Sequence, residues 1–140
     1  MSQNFYYVDS CIWLNLFKKE GDILEGIPHW KIAKDFIEYN NIIISTIVLK
    51  ELSFKLENKF NFILKFFKDA DNIEIIKTTS QDYDLARKFE TVDHFKISFY
   101  DYLHVAIAKR LNVPLVTRDK NLIEFAKKYI EVFKPENLII

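Results

Sequence analysis

Four acidic residues stand where strand-like segments pass into helix-like ones: Asp9 in FYYVDSCIW, Glu51 in STIVLKEL, Asp101 in SFYDYLHVAIAK and Asp119 in PLVTRDKNL. In an open α/β sheet the carboxyl ends of the strands share one crevice, so acids remote in sequence can meet there. Carboxylates brought together repel one another and call for a cation. Mg²⁺ and Mn²⁺ suit such a set because they take oxygen ligands in octahedral geometry. A divalent ion held there polarises a phosphoryl oxygen and activates water, so phosphate-ester hydrolysis needs no protein nucleophile.

Each acid also has an ordinary structural explanation. Asp9 and Asp119 precede helices, where an Asp side chain caps free backbone N–H groups. Asp101 lies three residues after Ser98, which reads as a capping box with Asp in place of Glu or Gln. Glu51 is too far into its helix to cap, and Ile47, Val48, Leu49 and Leu52 around it are apolar. A carboxylate bordering a buried stripe needs a partner, either an ion pair or a metal. Ser10 and Thr117, beside two of the acids, can hydrogen-bond the carboxylates or a substrate phosphate. Arg118 offers a guanidinium matched to phosphate, or else a solvated surface charge.

The elements that must position these groups follow from periodicity. Residues 5–9 read as a strand, and Ile12, Trp13, Leu16 and Phe17 then keep helical spacing up to Gly21. A helix is predicted over 28–39 with Pro28 in its first turn, then the strand IIIS and a helix from near Ser45 that carries Glu51. A further helix with Phe62, Ile63, Phe66 and Phe67 precedes the strand 73–76. Residues 80–90 open with a Ser cap, 91–97 form the best loop, and 99–111 are helical. The strand 114–117, a helix over 120–128 and a short strand near 130–133 close the chain. Alternation of this kind predicts crossover connections, a mostly parallel sheet of roughly four to five strands, and helices on both faces.

Composition sets the class. The 140 residues fit one domain spanning 1–140 and are 49% hydrophobic and 29% charged, which is globular rather than disordered. Twenty basic and twenty acidic residues cancel, excluding a surface that binds nucleic acid by charge alone; a local group such as Lys50, Lys109, Arg110 and Arg118 remains. The lone Cys11 cannot form an internal disulfide, suits a reducing cytoplasm and reads as packing. No apolar run reaches the roughly 18 residues of a membrane span, so a soluble cytoplasmic protein is expected. Thirteen Phe and seven Tyr are more than a small core absorbs, so a homodimer or a partner surface is expected. His29, His94 and His104 are too scattered for a zinc motif, and His104 reads as an ordinary helix histidine on the Asp101 face. Neither a Gly-rich phosphate loop nor a G-x-S-x-G elbow occurs.

In order and spacing, Asp9-Ser10, the segment from Ser45 to Leu52, the segment from Asp101 to Ala108, and Leu115-Val116-Thr117-Arg118-Asp119 resemble the PIN-domain nucleases. Within that family the chain particularly resembles the toxins of VapBC-type toxin–antitoxin pairs. The resemblance spans essentially the whole chain and implies a three-layer α/β/α fold, Mg²⁺ or Mn²⁺ dependence, cleavage of single-stranded RNA and an antitoxin partner. It maps the family's acids onto Asp9, Glu51, Asp101 and Asp119 and its hydroxyls onto Ser10 and Thr117. Asp9 and Asp101 are then direct ligands, Glu51 a ligand or the orienter of a water, and Asp119 the ligand of a second ion or an outer group. Where many relatives carry a further acid this chain has Lys120 and Asn121, which bears on the second ion.

Other readings stay open at this point. A stand-alone RNA-processing enzyme or a non-catalytic RNA-binding module would use the same fold. A phosphatase with Asp9 as nucleophile is disfavoured, because Ser10 and Cys11 follow it with no second Asp two residues on.

Overall fold

The computed structural model describes residues 4–139. In chain order come β1 (Phe5–Val8), α1 (Ser10–Lys18), β2 (Ile23–Leu24), β3 (Ile27–Pro28), α2 (His29–Glu38), β4 (Asn41–Ser45), α3 (Thr46–Lys55) and α4 (Phe60–Asp69). Then follow β5 (Ile73–Ile76), α5 (Ser80–Val92), α6 (Phe99–Leu111), β6 (Leu115–Val116), α7 (Lys120–Ala126) and β7 (Val132–Phe133). Five strands form one sheet in the order β5-β4-β1-β6-β7, every pairing parallel. β1 registers Tyr7 against Ile43 on one side and against Leu115 on the other. The chain steps outward from β1 to β4 and β5, then returns to β6 and β7, so the direction reverses between β1 and β6. Ligands of open α/β sheets bind at such a reversal, outside the carboxyl ends of the strands.

Alternation along β1 sends neighbouring side chains to opposite faces. Tyr6 meets Phe36 of α2 edge-on at 5.4 Å, while Tyr7 turns towards His104 of α6. Helices therefore cover both faces, and the run Ile42-Ile43-Ile44 is buried throughout, as a parallel strand between two helical layers requires. Aromatic clusters fill each layer. Trp13 packs on Phe66 and Phe67, and Phe125 on Phe89 and Tyr102. The aromatic surplus is not wholly absorbed: Tyr39, Phe54, Phe62 and Phe95 stay exposed.

Several boundaries differ from expectation for local reasons. α1 stops at Lys18 because Lys19 takes the left-handed conformation at φ 52°, ahead of Gly21. Thr79, not Ser80, caps α5, and it forms a full capping box with Asp82. The box expected at Ser98 is half made: its hydroxyl accepts from the Asp101 N–H at 3.2 Å, with no return bond from Asp101 to the Ser98 N–H. The β2–β3 hairpin was not anticipated. Its two-residue turn, Glu25-Gly26, has φ of 51° and 83°, the mirror-image geometry that matches strand twist.

Candidate active site

The parallel sheet brings the ends of β1 and β6 together, and hydrogen bonds hold their residues there. The Asp9 N–H donates to Val116 O at 3.2 Å, extending the ladder past the last strand residue. Asp9 Oδ1 accepts from the Cys11 N–H and so caps α1. Asp9 Oδ2 accepts from the Thr117 hydroxyl at 2.6 Å, and Thr117 Oγ1 in turn accepts from the Asp119 N–H at 3.1 Å. Thr117 is fully buried and tied to both acids. Asp119 Oδ1 caps α7 through the N–H groups of Asn121 and Leu122, at 3.0 and 3.2 Å. Capping and assembly of the acids thus coexist: each Asp gives an oxygen to a helix and keeps lone pairs for something else. Ser10 is buried in the first turn of α1, next to Asp9.

α6 starts at this crevice and delivers Asp101 in its first turn. Burial is the largest cause pushing the Asp101 carboxyl up to about 6; the charges of Asp9 and Asp119 add to it, while His104 and a Ser98 hydrogen bond oppose. Glu51 lies in the second turn of α3, where Oε1 meets His104 Nε2 at 2.8 Å. Its side chain is 14% exposed, against 1% for His104. His104 feels Asp9 and Asp101 as well as Glu51, so the four acids share one electrostatic neighbourhood. Burial pulls the imidazole down, and the Glu51 hydrogen bond with these charges outweighs it, raising its pKa above the ordinary value.

Sequence reasoning passed over His104, which is no ordinary helix histidine. Its Nδ1 bonds the Tyr7 hydroxyl at 2.7 Å, and that hydroxyl bonds Ser45 Oγ at 2.7 Å. The available signal was its place in the apolar run Leu103 to Ala108, buried throughout, where an imidazole must find partners.

Arg118 is not the free cation expected. Its Nη1 pairs with Glu136 Oε1 at 2.8 Å, a guanidinium only 13% exposed needing a counter-charge. Arg110 likewise holds buried Asp82 at 2.8 Å, and both Arg110 and Lys109 lie in the last turn of α6, about 12 Å along the helix from Asp101. Of the expected basic group, Lys50 lies over the ring of Tyr100, the residue before Asp101, with its Nζ 5.7 Å from the ring centroid. Cys11 Sγ accepts from the Arg118 N–H at 3.3 Å, and burial, then the Asp9 charge, pushes the thiol well up, which suits packing.

Among the described residues no three His, Cys, Asp or Glu side chains converge as a ligand cage. An all-carboxylate set of this openness fits Mg²⁺ or Mn²⁺ better than zinc, since Mg²⁺ keeps several waters and binds through one or two carboxylates. Burial of the Asp101 carboxyl, with the charges of Asp9 and Asp119 added and His104 only partly offsetting them, makes a place where a bound cation would be stabilising. Among the described residues no helix is long and apolar enough to cross a membrane.

No curated protein sequence matches the chain. Among solved structures it is similar to the VapC20 toxin of Mycobacterium tuberculosis, a sarcin–ricin loop cleaving toxin, with TM-score 0.70 at 16% identity, covering 91% of this chain and 98% of that one. It is also similar to VapBC from Salmonella typhimurium bound to DNA, with TM-score 0.69 at 16% identity over 96% and 99% of the chains. VapBC2 from Rickettsia felis, bound to a DNA fragment from its promoter, gives 0.65 at 22% identity over 93% and 98%. These likenesses establish the fold, and the family model described as "PIN domain" matches residues 6–128. The chain belongs to the PIN-domain family.

Proposed function

We propose that the whole chain acts as one PIN domain, a Mg²⁺- or Mn²⁺-dependent endoribonuclease that serves in the cytoplasm as the toxin of a toxin–antitoxin pair. The observation that carries this reading is the gathering of Asp9, Glu51, Asp101 and Asp119 into one field at the sheet reversal, with the Asp101 carboxyl pushed up to about 6. A relative that cleaves the sarcin–ricin loop supports an RNA substrate, and relatives solved as toxin–antitoxin complexes support an antitoxin. The exposed aromatics Tyr39, Phe54 and Phe62 support a homodimer or that protein partner.

In this reading Asp9, Asp101 and Asp119, with Glu51 beside them, would hold the ion, which when bound supplies charge neutralisation at the scissile phosphate. The chain's own groups do the rest. Thr117 fixes Asp9 and presents the Asp119 backbone. Glu51 Oε2, which takes no protein hydrogen bond among the described residues, orients the attacking water and accepts its proton. The Ser10 hydroxyl would hydrogen-bond a phosphate oxygen or a ligating carboxylate, and Arg118 would reach a phosphate only by releasing Glu136. Cleavage of a labelled single-stranded RNA by purified protein tests the reading. Hydrolysis with Mn²⁺ and none with EDTA is expected; equal cleavage with EDTA, or RNA binding without cleavage, would overturn it.

A further inference from the structure

Glu51 Oε1 accepts one protein hydrogen bond, from His104, and the far side of that imidazole runs into a buried chain to Tyr7 and Ser45. An ionised Glu51 has no hydrogen to give, so Nε2–H donates to it. With the imidazole neutral, Nδ1 accepts from the Tyr7 hydroxyl, and Tyr7 O accepts from Ser45. Ser45 Oγ accepts from the Val48 N–H at 3.4 Å, capping α3, the helix that carries Glu51. Every polar hydrogen in this chain has an acceptor. The network begins and ends on α3, crosses β1 two residues before Asp9 and α6 three residues after Asp101, and is buried along Tyr7, Ser45 and His104.

We propose that His104 is the positioning residue for Glu51: held by Tyr7, it engages Oε1 and fixes the carboxylate so that Oε2 faces the divalent ion and the attacking water. This rests on the nuclease reading above. A buried imidazole clamped at both nitrogens cannot turn, so Glu51 is aimed rather than merely tethered. Isolated packing would need no polar group here, since the surrounding side chains of α6 are apolar and buried.

The test compares wild type, His104→Leu, which removes both hydrogen bonds at similar volume, His104→Gln, whose amide N–H can stand where Nε2 stands, and Tyr7→Phe. Calorimetry gives the Mn²⁺ dissociation constant, and steady-state cleavage of a labelled RNA gives kcat and KM. His104→Leu is expected to lower Mn²⁺ affinity and kcat about 10–100-fold, as loss of a partner behind a metal ligand does, with KM within about threefold. His104→Gln should restore most of both, and Tyr7→Phe should fall between. Wild-type Mn²⁺ affinity and kcat in His104→Leu, or equal impairment in His104→Gln, would overturn the proposal. If His104→Leu does not fold, Tyr7→Phe decides: matching wild type in Mn²⁺ affinity and kcat, it overturns the proposal, and weaker than His104→Gln, it supports it. A wild-type protein that takes up no Mn²⁺ and cleaves no RNA is a separate result, removing the nuclease reading and this proposal with it.

Discussion

Replacing Asp101 by Asn should make the metal-free protein more stable, and the structure sets the size of the gain. Moving the carboxyl from its ordinary 3.8 to about 6, at ~1.4 kcal/mol per pH unit, corresponds to about 3 kcal/mol. The folded form holds this proton more tightly than the unfolded chain, so the cost is absent below pH 3.8, grows with pH and is complete above about 6. Asn loses the favourable charge at the α6 N-terminus, about 0.5 kcal/mol, and keeps the backbone bond to Ser98 Oγ. A net gain of about 2.5 kcal/mol remains, a rise of roughly 5–10 °C in Tm for a domain of this size. Thermal melts in EDTA from pH 4 to 8 should show the two proteins together at the acid end, separating as pH rises from about 4 to about 6 and keeping that gap up to pH 8. Excess Mn²⁺ should raise the wild type by about 2.7 kcal/mol at a hundredfold over its dissociation constant and the variant far less. If Asp101→Asn melts no higher than wild type at pH 7.5 in EDTA, the carboxylate is not under the strain described, and the argument for a cation site fails with it.

Glu51→Gln should drop the His104 pKa, because the Glu51 hydrogen bond is the main force holding it up against burial; NMR titration of the imidazole reads this directly. The same raised pKa contributes stability that is present below pH 6.5 and lost as pH climbs through the folded value. Arg110→Ala leaves Asp82 buried without its cation and should cost about 2 kcal/mol by chemical denaturation, less than the roughly 3–5 of a fully buried pair because Arg110 is 31% exposed. Light scattering over a concentration series should show self-association that weakens in Phe54→Ser or Phe62→Ser; a strict monomer at high concentration would remove the dimer.

Local pattern made much of this fold readable. Strand-to-helix junctions at Asp9 and Asp119 announce themselves by residue type, because caps and crevice acids occupy the same place in a parallel sheet. Glu51 was marked by being a carboxylate where none is comfortable. Its partner was invisible for a geometric reason: His104 is 53 residues from Glu51 and 97 from Tyr7, and helix spacing points instead to Asp101. Arg118 beside Asp119 suggested a phosphate ligand, since adjacency along the chain says nothing about Glu136 folding back onto it. The hairpin after α1 had its signal in Glu25-Gly26 between apolar residues, but with two residues per strand the alternation is too short to register.

Asp9 and Asp119 each commit an oxygen to a helix terminus, and Asn can make the same bond. On the nuclease reading proposed above, a single base change of this kind would silence the chemistry while leaving a chain that folds as before. Cellular quality control reads unfolded protein and would pass it. On that reading, loss of activity can go unseen in abundance, and folded but inert copies would compete with active ones for the proposed partner.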